Sequence, residues 1–118
     1  MSIANRDSRG ASASDPVNAL IDRTDNDLER VRSFARAPHE IHRILAARAD
    51  VAQFRQQWNS GTFGDGKLAE AIAQIRIVVN RNLLDAHDRD RLVEDLARLQ
   101  DLRTHPPRLP AAPATGAA

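Results

Sequence analysis

Apolar residues recur through residues 15–103 at intervals of three and four, the spacing that gathers side chains on one face of a helix turning about 100° per residue. Four such stretches are separated by breaks. The first opens on Asp15-Pro16, a capping acid followed by proline at the first helical position, and runs to about Ala35. Its stripe is Val17, Leu20, Ile21, Thr24, Leu28, Val31 and Phe34. Thr24 with Asp27 three residues on spells a second cap, yet the apolar phase runs straight through, so one continuous helix is expected.

Pro38 and Glu40 open the second helix, which ends near Ser60 and carries Ile41, Ile44, Leu45, Val51, Ala52 and Trp58. The third, about 67–82, is apolar nearly all round. Leu68, Ile72, Ile75, Val78 and Val79 make its main face, and Ile77 lies on the opposite side. Ile75–Val79 alone reads equally as a strand, but the alanine-rich approach Leu68-Ala-Glu-Ala-Ile-Ala-Gln74 argues helix. After a break at Leu83–Ala86, Asp85 caps a fourth helix bearing Leu92, Val93, Leu96 and Leu99, which Pro106 and Pro107 close off.

Short links after the first and third helices imply two antiparallel hairpins joined by a longer glycine link. The fold class expected is all-α, a small up-and-down four-helix bundle. Residues 1–14 are small and polar, and residues 104–118 hold four of the six prolines, so both are expected as disordered tails around a bundle domain at 15–103.

With 118 residues and a net charge of +1, the chain has no global electrostatic pull toward nucleic acid or an anionic membrane. The charge is unevenly dealt: 15–35 and 85–103 lean acidic, and 36–60 leans basic, which favours packing between neighbours of opposite sign. Arginine outnumbers lysine sixteen to one, a bias that suits a GC-rich bacterial source. The absence of cysteine excludes disulfides and thiolate metal sites. No secretory signal or membrane span is recognisable, so the default compartment is the cytoplasm.

Several motifs invite chemistry. Gly61-Thr-Phe-Gly-Asp-Gly-Lys67 spells most of a phosphate-cradling loop, but Leu68 stands where a magnesium-binding hydroxyl is needed, and a helical segment precedes it where a strand is required. It reads as a flexible connector. His39 and His42 in His-Glu-Ile-His lack a third metal ligand, and the acids of Asp85–Asp90 are explained by helix capping. No paired carboxylates stand out in an apolar setting, so no catalytic residue is nominated, and no cofactor or metal is expected.

The main irregularity lies in the second helix, where Arg48 and Arg55 project near the middle of the apolar stripe. A buried charge needs a partner. Three arrangements supply one: heads reaching water over aliphatic stems, pairing with acids of the first or fourth helix, or contact with another chain. Arg48, Arg55, Trp58 and Ile77 are accordingly the candidate interaction residues, since an apolar spot beside an aromatic and arginine is what interface centres favour. The function expected is a non-catalytic protein–protein interaction module, an adaptor, regulator or accessory subunit, whose partner is another protein chain or a second copy of this one. The alternative is a nucleic-acid-binding regulator that uses Arg36, Arg43, Arg48 and Arg55 of the second helix.

Overall fold

In the computed structural model, which describes residues 15–108, the chain forms α1 (Pro16–Phe34), α2 (Pro38–Asn59), α3 (Asp65–Arg81) and α4 (Ala86–Thr104). Helices α1 and α3 each pack against α2 and α4, while α1 and α3 sit on one diagonal and α2 and α4 on the other. This is an up-and-down four-helix bundle. The tails expected at 1–14 and beyond 108 lie outside the described residues, and the residues 104–108 include the last helical residue, Thr104.

Local chemistry sets the boundaries. The Asp15 carboxylate accepts the Val17 amide at 2.9 Å and the Asn18 amide at 3.3 Å, closing the open end of α1, with Pro16 where no amide is missed. Thr24 does not start a new helix, because its hydroxyl donates back to the Leu20 carbonyl at 2.8 Å and is buried there. Asp85 caps α4 by accepting the Asp88 amide at 2.8 Å. Helix α3 starts at Asp65, slightly ahead of expectation, and Ile75–Val79 is helical. Between α2 and α3, Gly61 has φ of 90°, a conformation that a side chain would strain. The chain then folds Phe63 edge-on against Phe54 and Trp58, with ring centroids 5.7 and 6.5 Å away, so the connector plugs its end of the core.

Inward residues follow alternating steps of three and four in α2: Ile44, Ala47, Val51, Phe54 and Trp58. Val17, Ile21, Thr24, Leu28 and Val31 do the same in α1, and Leu92, Asp95 and Leu99 in α4. This is the seam geometry of helices crossing at shallow angles. Each fully buried Leu, Ile, Val or Phe contributes on the order of 1.5–3 kcal/mol relative to exposure. Four residues assigned to the stripes turn outward instead. Leu45, Ala52 and Val93 each follow or precede an inward residue by one, a step that rotates them off the seam. Phe34 is 64% exposed for the same reason: the seam of α1 steps from Val31 to Ala35, which packs on the core, and Phe34 falls one position short of it.

Candidate functional site

The two arginines of α2 occupy the position immediately after an inward residue, which aims them along the edge of the seam toward α1. Arg48 grips Asp25 with two hydrogen bonds, 2.8 and 3.1 Å, and also donates to Glu29. Arg55 donates to Asp22 and, at 3.3 Å, to Asn18. Both side chains remain about one-third exposed, so internal pairing and partial access to water coexist. The basic bias of 36–60 and the acidic bias of 15–35 meet in these pairs.

Trp58 is buried, and its indole Nε1 donates to Asp15 Oδ2 at 2.9 Å. Asn18 joins them, donating to Asp15 Oδ2 at 3.0 Å and to Asn59 Oδ1 at 2.9 Å. Burial acts to raise the Asp15 carboxyl, but the hydrogen bonds from Trp58, Asn18 and Val17 outweigh it and hold the group below its ordinary value. Arg55 and Trp58 thus come together, facing the start of α1. Ile77 is on α3, diagonal to α1, and 39% exposed.

At the opposite end of the bundle, the α1–α2 and α3–α4 links enclose a cleft of about 560 Å³ with Phe34, Ala35, Leu83 and Leu84 on its wall. Asn82 clasps the α3–α4 link to the first turns of α2 by donating to the Glu40 carbonyl at 3.1 Å and accepting from Arg43 at 3.0 Å. The Glu40 carboxylate accepts the Leu83 amide at 2.9 Å. Leu83 itself stands 91% exposed. The Arg30 guanidinium lies 5.3 Å from the Phe34 ring centroid and donates to Asp88 at 2.8 Å, bracing the ring at the rim.

Sequence reasoning missed the acids between α1 and α4. Asp95 is completely buried and Asp27 nearly so, and both carboxyls border the same Arg23 guanidinium. Arg91 Nε donates to Asp27 Oδ1 at 2.9 Å. Arg23 Nε is 3.0 Å from Asp95 Oδ1 and 4.0 Å from Asp27 Oδ2, but its N–H points off line and makes no hydrogen bond, while its Nη2 donates to Glu94 at 2.6 Å. Both Asp95 oxygens and Asp27 Oδ2 are left without a conventional donor. Burial first, then the hydrogen bond and charge of Asp27, push the Asp95 carboxyl up to about 8, against the pull of Arg23 and Arg91. Paired carboxylates therefore do exist in an apolar setting. The signal was Asp95 falling in phase between Leu92 and Leu99.

The motifs of the sequence resolve into local structure. Lys67 Nζ is held by Glu70 at 2.6 Å and Asp50 at 3.5 Å, and the segment before the glycines is α2, so the loop has the geometry of a helix connector. His39 and His42 are both exposed on α2, and no group of three or more His, Asp or Glu among the described residues is placed to hold a metal ion. No described helix is long and apolar enough to cross a membrane. The chain matches no protein-family model, no curated protein and no solved structure, so its functional reading rests on its own residues.

Proposed function

We propose that the protein is a non-catalytic interaction module that offers the Phe34–Leu83 end of its bundle to a partner protein chain. The carrying observation is where the exposed apolar side chains fall. Among the described residues these are Phe34, Leu45, Ile77, Leu83 and Val93. Each lies on, or within about two turns of, the end formed by the two short links, a depth on the order of 10 Å. At the far end the Asp15–Asn18–Trp58–Asn59 hydrogen bonds and the Phe63 plug close the α1–α2 side, and the groove between the start of α1 and the end of α4 has none of these exposed apolar side chains on its wall. An aromatic braced by arginine, next to an open apolar cleft, suits an anchor side chain inserted from a partner. Ile77 lies near the same end, on α3, outside the cleft itself. Arg48, Arg55 and Trp58 support it indirectly by fastening α1 to α2.

The nucleic-acid reading draws less support, because Arg48 and Arg55 are paired with Asp25, Glu29 and Asp22, which leaves Arg43, bonded to the neutral Asn82, as the one arginine of α2 without a carboxylate partner among the described residues. The test is Leu83→Asp and Ile77→Asp, each read by circular dichroism, light-scattering mass and capture of partners. Retained helicity with association weakened roughly tenfold or more supports the module. Association that survives both substitutions but disappears with Arg36→Glu in a salt-dependent manner on DNA would replace it with the second reading.

A further inference from the structure

We propose that Asp27 and Asp95 share one proton across the α1–α4 seam, and that losing this proton loosens the seam, so that the bundle is a pH-sensitive joint. The geometry asks for the proton. A carboxylate only accepts, yet Asp27 Oδ2 and both oxygens of Asp95 have no conventional donor at their buried positions. One proton on Asp95 creates an O–H that donates to Asp27 and satisfies an oxygen on each residue. Without it, two like charges face each other in an apolar layer between Leu92 and Leu99, a costly arrangement. Neither residue lines the groove of about 550 Å³ that opens farther along α1 and α4, so the pair is sealed from substrates.

The surrounding charges do not remove the need. From α1, Arg23 reaches the pair off line, whereas Asp22, Asp25 and Glu29 are turned to α2 and Arg30 to Asp88. On α4 itself, Arg91 holds the other Asp27 oxygen, and Glu94 is occupied by Arg23 and Arg98. Helix α3, the remaining neighbour of α4, buries only apolar residues: Asp65 pairs with Arg103, Lys67 and Glu70 with each other, and Arg76 and Arg81 are exposed. The linkage has a definite sign. The folded-state value of Asp95, about 8 against 3.8, lies above the unfolded one, so its stabilising contribution is complete below about pH 4 and is lost as pH rises toward 8.

Carbon-13 NMR of labelled aspartate in the full chain tests the proton directly. The Asp95 carboxyl is expected to be protonated at about pH 6, to ionise near pH 8, and to ionise at lower pH in Asp27→Asn. Urea unfolding tests the joint: the wild-type unfolding constant should rise roughly tenfold or more between about pH 5 and pH 8, and this rise should vanish in Asp95→Asn. The exposed His39, His42, His87 and His105 are common to both proteins and cancel in the comparison. An ionised Asp95 at pH 6 would overturn the shared proton. A protonated Asp95 with the same wild-type and variant pH slopes would overturn the joint, and the NMR titration stands even where Asp95→Asn fails to fold.

Discussion

Helix α1 meets α2 and α4 across two seams that carry the same residue types in opposite arrangements. Toward α2, Asp22, Asp25 and Glu29 lie at the edge, and every one of them receives a hydrogen bond from Arg48 or Arg55 with water nearby. Toward α4, Asp27 and Asp95 lie inside, and the guanidinium groups of Arg23 and Arg91 approach from the rim without satisfying all their oxygens. The difference teaches that position relative to the apolar phase, more than the identity of the charged residue, decides its energetic role. One step off the stripe gives a screened surface pair worth up to about 1 kcal/mol. A position within it gives a buried acid whose protonation state is tied to folding.

Four substitutions break or sharpen that contrast. Arg23→Ala should have the largest effect, a loss of about 3 kcal/mol in urea unfolding at about pH 9, where the pair is ionised, because it strips away the guanidinium that lies 3.0 Å from the buried Asp95 Oδ1. The loss should shrink as pH falls below about 8, where the pair takes up its shared proton; a loss that is independent of pH would assign it to lost packing instead. Asp15→Ala should cost about 2 kcal/mol, since it removes both the α1 cap and the acceptor of a buried indole N–H. Arg48→Ala should cost about 1 kcal/mol, and molar salt should halve even that, whereas salt should leave the Arg23→Ala loss nearly intact. Lys67→Ala, outside both seams, should stay within about 0.5 kcal/mol and leave nucleotide retention unchanged.

Acid should act on the exposed pairs and spare the buried one. Hydrogen bonds from Arg32 hold Glu29 below the ordinary carboxylate range, and those from Arg98 and Arg23 do the same for Glu94. A depressed value contributes stability above the unfolded pKa and loses it as pH falls through the folded one, so these pairs fail below about pH 4. The buried pair works in the opposite direction, and the pH of greatest stability should fall between the two limits.

Much of the architecture could be read in advance because it follows from local rules. Asp15-Pro16, Pro38 and Asp85 mark helix starts through backbone chemistry that needs no knowledge of neighbours. The site was less legible. Phe34 reads as the end of the α1 stripe, but the seam continues to Ala35 instead, and the step of one residue turns the ring outward. Asp27 sits beside Leu28 at the seam, and its burial depends on which face α4 turns toward α1. Asp95 was readable from its phase, but acids are common on helices, and a period of three and four does not by itself say which acid goes inside. Arg48 and Arg55 read in the sequence as lying near the middle of the stripe, whereas the structure puts them one step off it at the seam's edge, and their partners required the three-dimensional pairing of α1 with α2.

Trp58 also gives the protein an internal optical probe. It is the one tryptophan in a chain without tyrosine, so near-ultraviolet excited emission belongs almost wholly to a single indole. That indole is shielded, tethered to the first residue before α1 and stacked edge-on near Phe63. Its colour and intensity therefore report on the closed end of one hairpin and are blind to events beside Asp95. If fluorescence and far-ultraviolet ellipticity follow a single denaturation curve, the whole bundle opens as a unit; if ellipticity falls first as alkali is added, α4 has parted from α1 while the tryptophan end still holds.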